Sequence, residues 1–334
     1  MYLQPGLTLA RGGSADPDLV RSLQRDLRFL GYKAAGITGL FDADTERAVR
    51  ALQIDLLKPD PGDAIARYNG VGGVRVSVIT GVLDQALAGA MAAMLADTQF
   101  AGVPESDDPT GDNARALAEI RSNPARAAPT PFVIAIVRQE SGAKHYVVPH
   151  GADQDAFVTV GLDRNNAQQP DEITSRGYGL GQHTLFHHPP TAAEVRDVIR
   201  DPVNNVQSVC DELRAKFDRF VVGPVDRADD RVAEHPLLPL RLCRYPATDP
   251  LYLSDCANCA RAARKVQIAP GTPVFAGSPT LYEPTQYYSS AAYDGIPARA
   301  DFLCDWPYAA RRYNGSGVNS FHYQVRILRN LLTP

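Results

Sequence analysis

Two neighbouring runs, LQRDLRFLGY (Leu23–Tyr32) and GLFDADTERAVRALQ (Gly39–Gln53), decide how the N-terminal part of the chain folds. In the first, Leu23, Leu27 and Leu30 continue a series begun at Leu19, with Arg and Asp between them, so one helix face is apolar and the other charged. Gly31 follows as a helix stop. In the second, Thr45, Ala48, Val49, Leu52 and Leu56 keep the same period, and Asp42 or Asp44 stands where a cap is wanted. Gly39-Leu40-Phe41 is the turn between them. A polar, Gly-rich insertion over Lys58–Gly73 precedes a third apolar helix over Leu83–Leu95. These signals predict a small three-helix bundle domain within residues 1–96.

Beyond the bundle, residues 97–130 are rich in Pro, Asp, Ser and Ala, with one helical pattern at Ala114–Arg121, and read as a linker. A second domain, 131–334, opens with Thr130 as cap and Pro131 as first helical residue, then the apolar run Phe132–Val137 leading to Glu140. Short β-branched runs within Val147–Val160, broken by Pro149, Gly151 and Asp153, predict a small hairpin. Thr191-Ala-Ala-Glu194 is a capping box, and Asp201-Pro202 starts a helix with Val203, Val206, Cys210, Leu213 and Phe217 on one face. The segment 237–305 is Pro- and Tyr-rich and Cys-bearing, with strand-like Val274-Phe275 and Leu281-Tyr282, and reads as an insertion. Asn319-Ser320 caps a last helix carrying Phe321, Val325, Leu328 and Leu332. The fold class expected is mainly α (α+β): a three-helix bundle, then a helical domain with a small β-hairpin and a Cys-rich insertion.

With 334 residues and 44% apolar content, the chain reads as a soluble globular protein able to bury a large core. A net charge of -4 offers no field for phosphate backbones, so nucleic acid is not an expected partner. No stretch reaches the roughly 20 apolar residues of a membrane span, and MYLQPGLTLARGG lacks the order of a signal peptide. Cys210, Cys243, Cys256, Cys259 and Cys304 all fall in the second half. The single CxxC, Cys256–Cys259, leaves disulfides, a metal site and free thiols open.

Leu23-Gln24, Leu27, Leu30-Gly31-Tyr32, Gly39-Leu40-Phe41, Thr45, Ala48-Val49 and Leu52-Gln53 make residues 17–95 resemble the three-helix peptidoglycan-binding domain that accompanies many cell-wall hydrolases. The second domain resembles the lysozyme superfamily, in the branch of soluble lytic transglycosylases and goose-type lysozymes. Its pieces occur in the family's order: Glu140-Ser141 at a helix end, Gly179-Leu180-Gly181-Gln182 after Tyr178, and Tyr313-Asn314-Gly315 before a last helix. Gly181 stands where Met is common in that family, and the segment before Tyr313 is longer than the family's.

The resemblance implies cleavage of the β-1,4 bond between N-acetylmuramic acid and N-acetylglucosamine, with Glu140 as general acid and base. Such a bond breaks when its leaving oxygen is protonated as an oxocarbenium-like centre forms. A carboxyl at a helix C-terminus, beside apolar residues, is disfavoured as an anion and so suited to hold that proton. Ser141, Tyr178, Gly179, Leu180, Gly181, Gln182, Tyr313 and Asn314 would bind the saccharide, with the Tyr313 hydroxyl near the acid. An inverting hydrolase also needs a second carboxylate about 6.5–9.5 Å away. Asp163, Asp171 and Glu172 are the candidates, but Ser175-Arg176-Gly177 occupies the place where goose-type enzymes often carry Asp. A lone Glu140 would instead leave a 1,6-anhydro product.

No cofactor or metal is expected. His183 and His187, with His145 and His150, raise a zinc-dependent amidase as an alternative, yet His188-Pro189-Pro190 breaks any helix there and no HExxH occurs. Cys210 as a peptidase nucleophile is another alternative, weakened by its place on an apolar helix face. A hydrolytic lysozyme and a non-catalytic wall-binding protein complete the set. A wall substrate without an export signal suggests delivery by type VI secretion, which would bring an immunity protein and a spike carrier as partners, or release as a phage endolysin. The site of action expected is the periplasm or cell wall.

Overall fold

The computed structural model describes residue 4 and residues 6–59, 64–122, 128–222, 242–267, 294–298, 301–302, 304–315 and 318–333. The strand-like pieces expected at Val274-Phe275 and Leu281-Tyr282 lie outside the described residues. By contact the chain divides into two compact units that alternate in sequence: Met1–Ala116 with Lys144–Asn205, and Leu117–Ala143 with Val206–Pro334. The sequence reading put a single break at residues 97–130; the contact division instead joins 144–205 to the N-terminal bundle. Among the described residues no helix is long and apolar enough to cross a membrane.

In the first unit, α1 (Pro17–Phe29) buries Val20, Leu23 and Leu27, and Asp16 caps it by accepting from the Asp18 N–H. Leu30 closes the helix and Gly31 takes φ 78°, the left-handed position expected of it. α2 (Ala43–Leu56) is capped by Asp42, whose carboxylate accepts from the Thr45 N–H at 2.8 Å. α3 (Gln85–Ala96) is capped in the same way by Asp84.

Three buried amides lock the turns of this bundle. Gln24 donates to the Thr45 hydroxyl and the Leu40 carbonyl and accepts from the Gly39 N–H, so the turn between α1 and α2 closes on one side chain. Gln53 holds Thr80–Val82, and Asn69 clasps Val76 and the Leu56 carbonyl. Each satisfies backbone groups that would otherwise be buried unpaired.

The same unit holds an antiparallel sheet of three strands in the order β1 (Val160–Asp163), β2 (Ser175–Tyr178), β3 (His183–Leu185). Its register pairs Val160 with Tyr178 and Tyr178 with His183. The hairpin was expected earlier, within Val147–Val160. That stretch forms isolated bridges instead, Phe157 with Glu105 and Val158 with Tyr146, and packs into a core with Val160 and Tyr178. A fully buried ion pair joins this core to α1: Arg28 Nε lies 2.7 Å from Asp155 Oδ2, and Nη2 donates to Oδ1 at 2.9 Å. α4 (Pro109–Ser122) contributes Asn113, which accepts from the His145 and Tyr146 N–H groups.

In the second unit, α5 (Thr130–Ser141) buries Phe132, Val133, Ala135, Ile136 and Val137. It begins one residue earlier than expected: Pro129 is the cap position and makes no side-chain capping bond, so Thr130 lies inside the first turn. After α6 (Ala192–Glu194), which carries the expected capping box and belongs to the first unit, come α7 (Pro202–Phe217), α8 (Cys256–Ala262), α9 (Trp306–Tyr313) and α10 (Val318–Asn330). Asn319 and Ser320 sit within α10 instead of capping it; Ser320 is buried and accepts from Arg311 Nε. α10 packs on α5 through Asn330, which donates to the Ala135 carbonyl, and Arg138 donates to the Thr333 carbonyl. Trp306 and Phe217 meet with ring centroids 4.4 Å apart.

Candidate functional site

Glu140 lies in the last turn of α5, and Gly142 ends the helix at φ 64°. The apolar residues before it are buried while Glu140 itself is half-buried, so the carboxylate stands at the edge of the core. The Tyr323 hydroxyl, from α10, donates to Glu140 Oε1 at 2.5 Å. Tyr323 is stacked on Tyr313 of α9, with centroids 6.3 Å apart and planes 13° from parallel. Burial first, then the charge of Glu140, push the Tyr323 phenol well above its ordinary range. Burial also raises Tyr313, followed by the charges of Glu212 and Glu140. Both phenols therefore stay protonated at neutral pH, and that of Tyr323 is the donor to Glu140.

Helices α5, α9 and α10 thus bring together Glu140, Tyr313 and Tyr323, and the charge of Glu212 on α7 acts on both phenols. Sequence reasoning named Glu140 and Tyr313 and missed the other two. Tyr323 is 183 residues from Glu140 and carries no local motif. Glu212 sits among the surface charges of α7, with Lys216 Nζ 3.4 Å from it, and looks in sequence like an ordinary helix ion pair. Ser141 donates to the Val137 carbonyl, a bond within its own helix, and Asn314 is the C-terminal cap of α9.

The Gly-rich motif belongs to the first unit. Tyr178 is buried, with its phenol pushed up to about 12 by burial. Gly179 takes φ 74°, and a Cβ there would stand 2.6 Å from His145 Cε1 and 2.8 Å from Asn205 Oδ1, so only Gly fits. Leu180 is fully buried and the Gly181 N–H donates to Asn205 Oδ1. Gln182 adopts φ 52° and folds its side chain back to donate to the Gly179 carbonyl at 2.8 Å. Its Oε1 lies over Gly161 and Gly177, where a Cβ would come within 2.2 and 2.8 Å. The motif is a tightly packed turn whose two strand glycines leave room for the Gln182 amide.

The proposed second carboxylates are engaged within that same unit. Asp163 accepts from the Ser175 hydroxyl at 2.7 Å. Asp171 is paired with Arg50 at 2.6 Å and Arg47 at 3.5 Å. Glu172 accepts from Asn166 and pairs with Lys58, and these contacts lower its pKa, the Asn166 bond most. Asp163 is thus held within the sheet, while Asp171 and Glu172 tie the segment between β1 and β2 to α2 and to Lys58 just after it.

Among the described residues no three His, Cys, Asp or Glu side chains are grouped to hold a metal ion. His145 is buried, donates through Nε2 to the Ile199 carbonyl, and is held neutral with its pKa pushed down to about 4 by burial. His187 pairs with Glu194. Cys210 is wholly buried on α7, and Cys243, Cys256, Cys259 and Cys304 line one pocket with Phe132 and Trp306.

Residues 16–55 match the family model described as "Putative peptidoglycan binding domain". The match covers α1, the Gly39-Leu40-Phe41 turn and nearly all of α2, the elements built from the two sequence runs above. No curated protein and no solved structure matches the chain.

Proposed function

We propose that this chain binds peptidoglycan through its N-terminal bundle and cleaves the glycan strand at the muramic acid linkage, with Glu140 as the acid and base. The wall partner is supported by the family match over residues 16–55. The observation that carries the chemistry is the Tyr323–Glu140 hydrogen bond, which fixes one carboxylate at the end of a buried helix. With Oε1 so held, the carboxyl carrying its proton on the other oxygen could protonate the glycosidic oxygen. The resulting carboxylate could then take the proton of the muramic C6 hydroxyl as that oxygen closes on C1, which yields a 1,6-anhydro end without a water nucleophile.

Glu212 favours a second reading. Its charge acts on both Tyr313 and Tyr323, so a second carboxylate shares the neighbourhood of Glu140 and could activate water for hydrolysis. Action at the wall suits delivery by a secretion spike, with an immunity protein guarding the producer, or release during phage lysis.

The direct test is Glu140→Gln, which keeps the shape and removes the titrating proton. Turbidity clearing of purified sacculi should fall by about a hundredfold or more, the usual contribution of general acid catalysis. Sedimentation with sacculi should be unchanged. Undiminished clearing would sink the catalytic part; failure of the wild-type protein to sediment would sink the wall-binding part.

A further inference from the structure

The first unit contains a pocket of about 290 Å³ that the glycan-cleaving reading does not use; its polar lining is Asp55, Lys58, Arg176, His187 and His188. These groups are unequally satisfied. Asp55 accepts from the Tyr32 hydroxyl at 2.8 Å and pairs with Lys58 Nζ, also at 2.8 Å. Burial works against the Lys58 ammonium, but its bonds to Asp55 and Glu172 outweigh that and raise its pKa. His187 is taken by Glu194.

Arg176 is different. It is 3% exposed, its Nε donates to the Gly31 carbonyl at 2.9 Å, and its guanidinium lies over the Tyr32 ring. Its buried Nη2 has no hydrogen-bond partner and comes only within 3.5 Å of Asp55 Oδ2. Beside it, neither ring nitrogen of His188 makes a hydrogen bond of proper geometry, although the Leu30 backbone lies close. Burial, then the Arg176 charge, keeps this imidazole neutral, with one donor and one acceptor.

A buried guanidinium N–H with a carboxylate no nearer than 3.5 Å is under-satisfied, and its planar fork matches a further carboxylate. Ile65, Ile173 and Phe186 add apolar surface, and Phe186 is 83% exposed. The volume is at the lower limit of small-ligand sites, enough for a short peptide end.

We propose that this pocket binds a carboxylate terminus through Arg176 and His188 and, resting on the wall-binding reading, that the ligand is the D-alanine carboxylate ending a peptidoglycan stem peptide. The Arg176 fork takes the carboxylate oxygens, His188 supplies one further hydrogen bond, and the alanine methyl lies against the apolar side.

Calorimetric titration of the full chain with N-acetyl-D-alanyl-D-alanine, its C-terminal amide, and acetate tests this. The acid should bind, with the amide about tenfold or more weaker because the charge-assisted bond is lost. Arg176→Lys should weaken the acid by a similar factor. Phe186→Ala, at an exposed position that folding does not need, should weaken it several-fold. Absence of acid binding, equal affinity for acid and amide, or indifference to Phe186→Ala would overturn the proposal. Acetate binding as tightly as the dipeptide would overturn the stem-peptide assignment. Sacculus sedimentation run in parallel separates the two ideas. Sedimentation without dipeptide binding sinks the pocket and leaves wall binding; dipeptide binding without sedimentation does the reverse.

Discussion

At the scale of single residues, the position of Glu140 in the last turn of a buried helix was legible from the apolar run before it and the Gly after it. Tyr323 was not, because a hydroxyl that reaches a carboxylate across 183 residues leaves no pattern in either segment. Tyr323→Phe removes that donor and keeps the ring stacked on Tyr313. Clearing of sacculi should fall by about tenfold, the scale of one hydrogen bond to a charged group, with wall sedimentation intact; an unchanged rate would remove Tyr323 from the mechanism. His145 gives a stability prediction. Its folded pKa is about 4 against 6.5 for a free imidazole, so the unfolded chain binds the extra proton between those values. Stability is therefore full above pH 6.5 and declines as pH falls toward 4, by about 3 kcal/mol in total. His145→Gln should flatten the fall of Tm between pH 7 and 4.5; parallel curves for the two proteins would contradict this.

At the scale of elements, α1 and α2 were readable because their apolar period and caps agree, and Gly31 stops α1. The sheet was misplaced for a physical reason. Its strands are three or four residues long, and the Gly161–Gly177 pair leaves no alternating side chains to read. What fixes that region is instead the buried Arg28–Asp155 pair between α1 and the segment before β1. Removing one partner strands a charge in the core, so Arg28→Ala should cost about 3–5 kcal/mol in chemical denaturation. Arg28→Met with Asp155→Leu should cost clearly less than the single change. If the double variant loses as much as the single one, the pair's charge is not what matters there.

At the scale of the whole molecule, the sequence suggested two domains joined by a linker, while the contacts alternate along the chain, with residues 144–205 grouped with the bundle. Periodicity reports which face of an element is buried and not which distant element covers it. The bundle that matches the peptidoglycan-binding family model over residues 16–55 was legible, and the grouping of the middle third was not. The Cys-bearing segment shows the same limit: spacing left three chemistries open for its thiols, which only three-dimensional placement could bring to one pocket. The central claim joins both units in one activity, cutting glycan strands of a wall that the protein also binds. Mass spectrometry of soluble fragments from purified sacculi tests it most directly. The wild-type protein should release disaccharide peptides ending in 1,6-anhydromuramic acid, and Glu140→Gln should release none. Free stem peptides without new glycan ends, or the same fragments from Glu140→Gln, would contradict it.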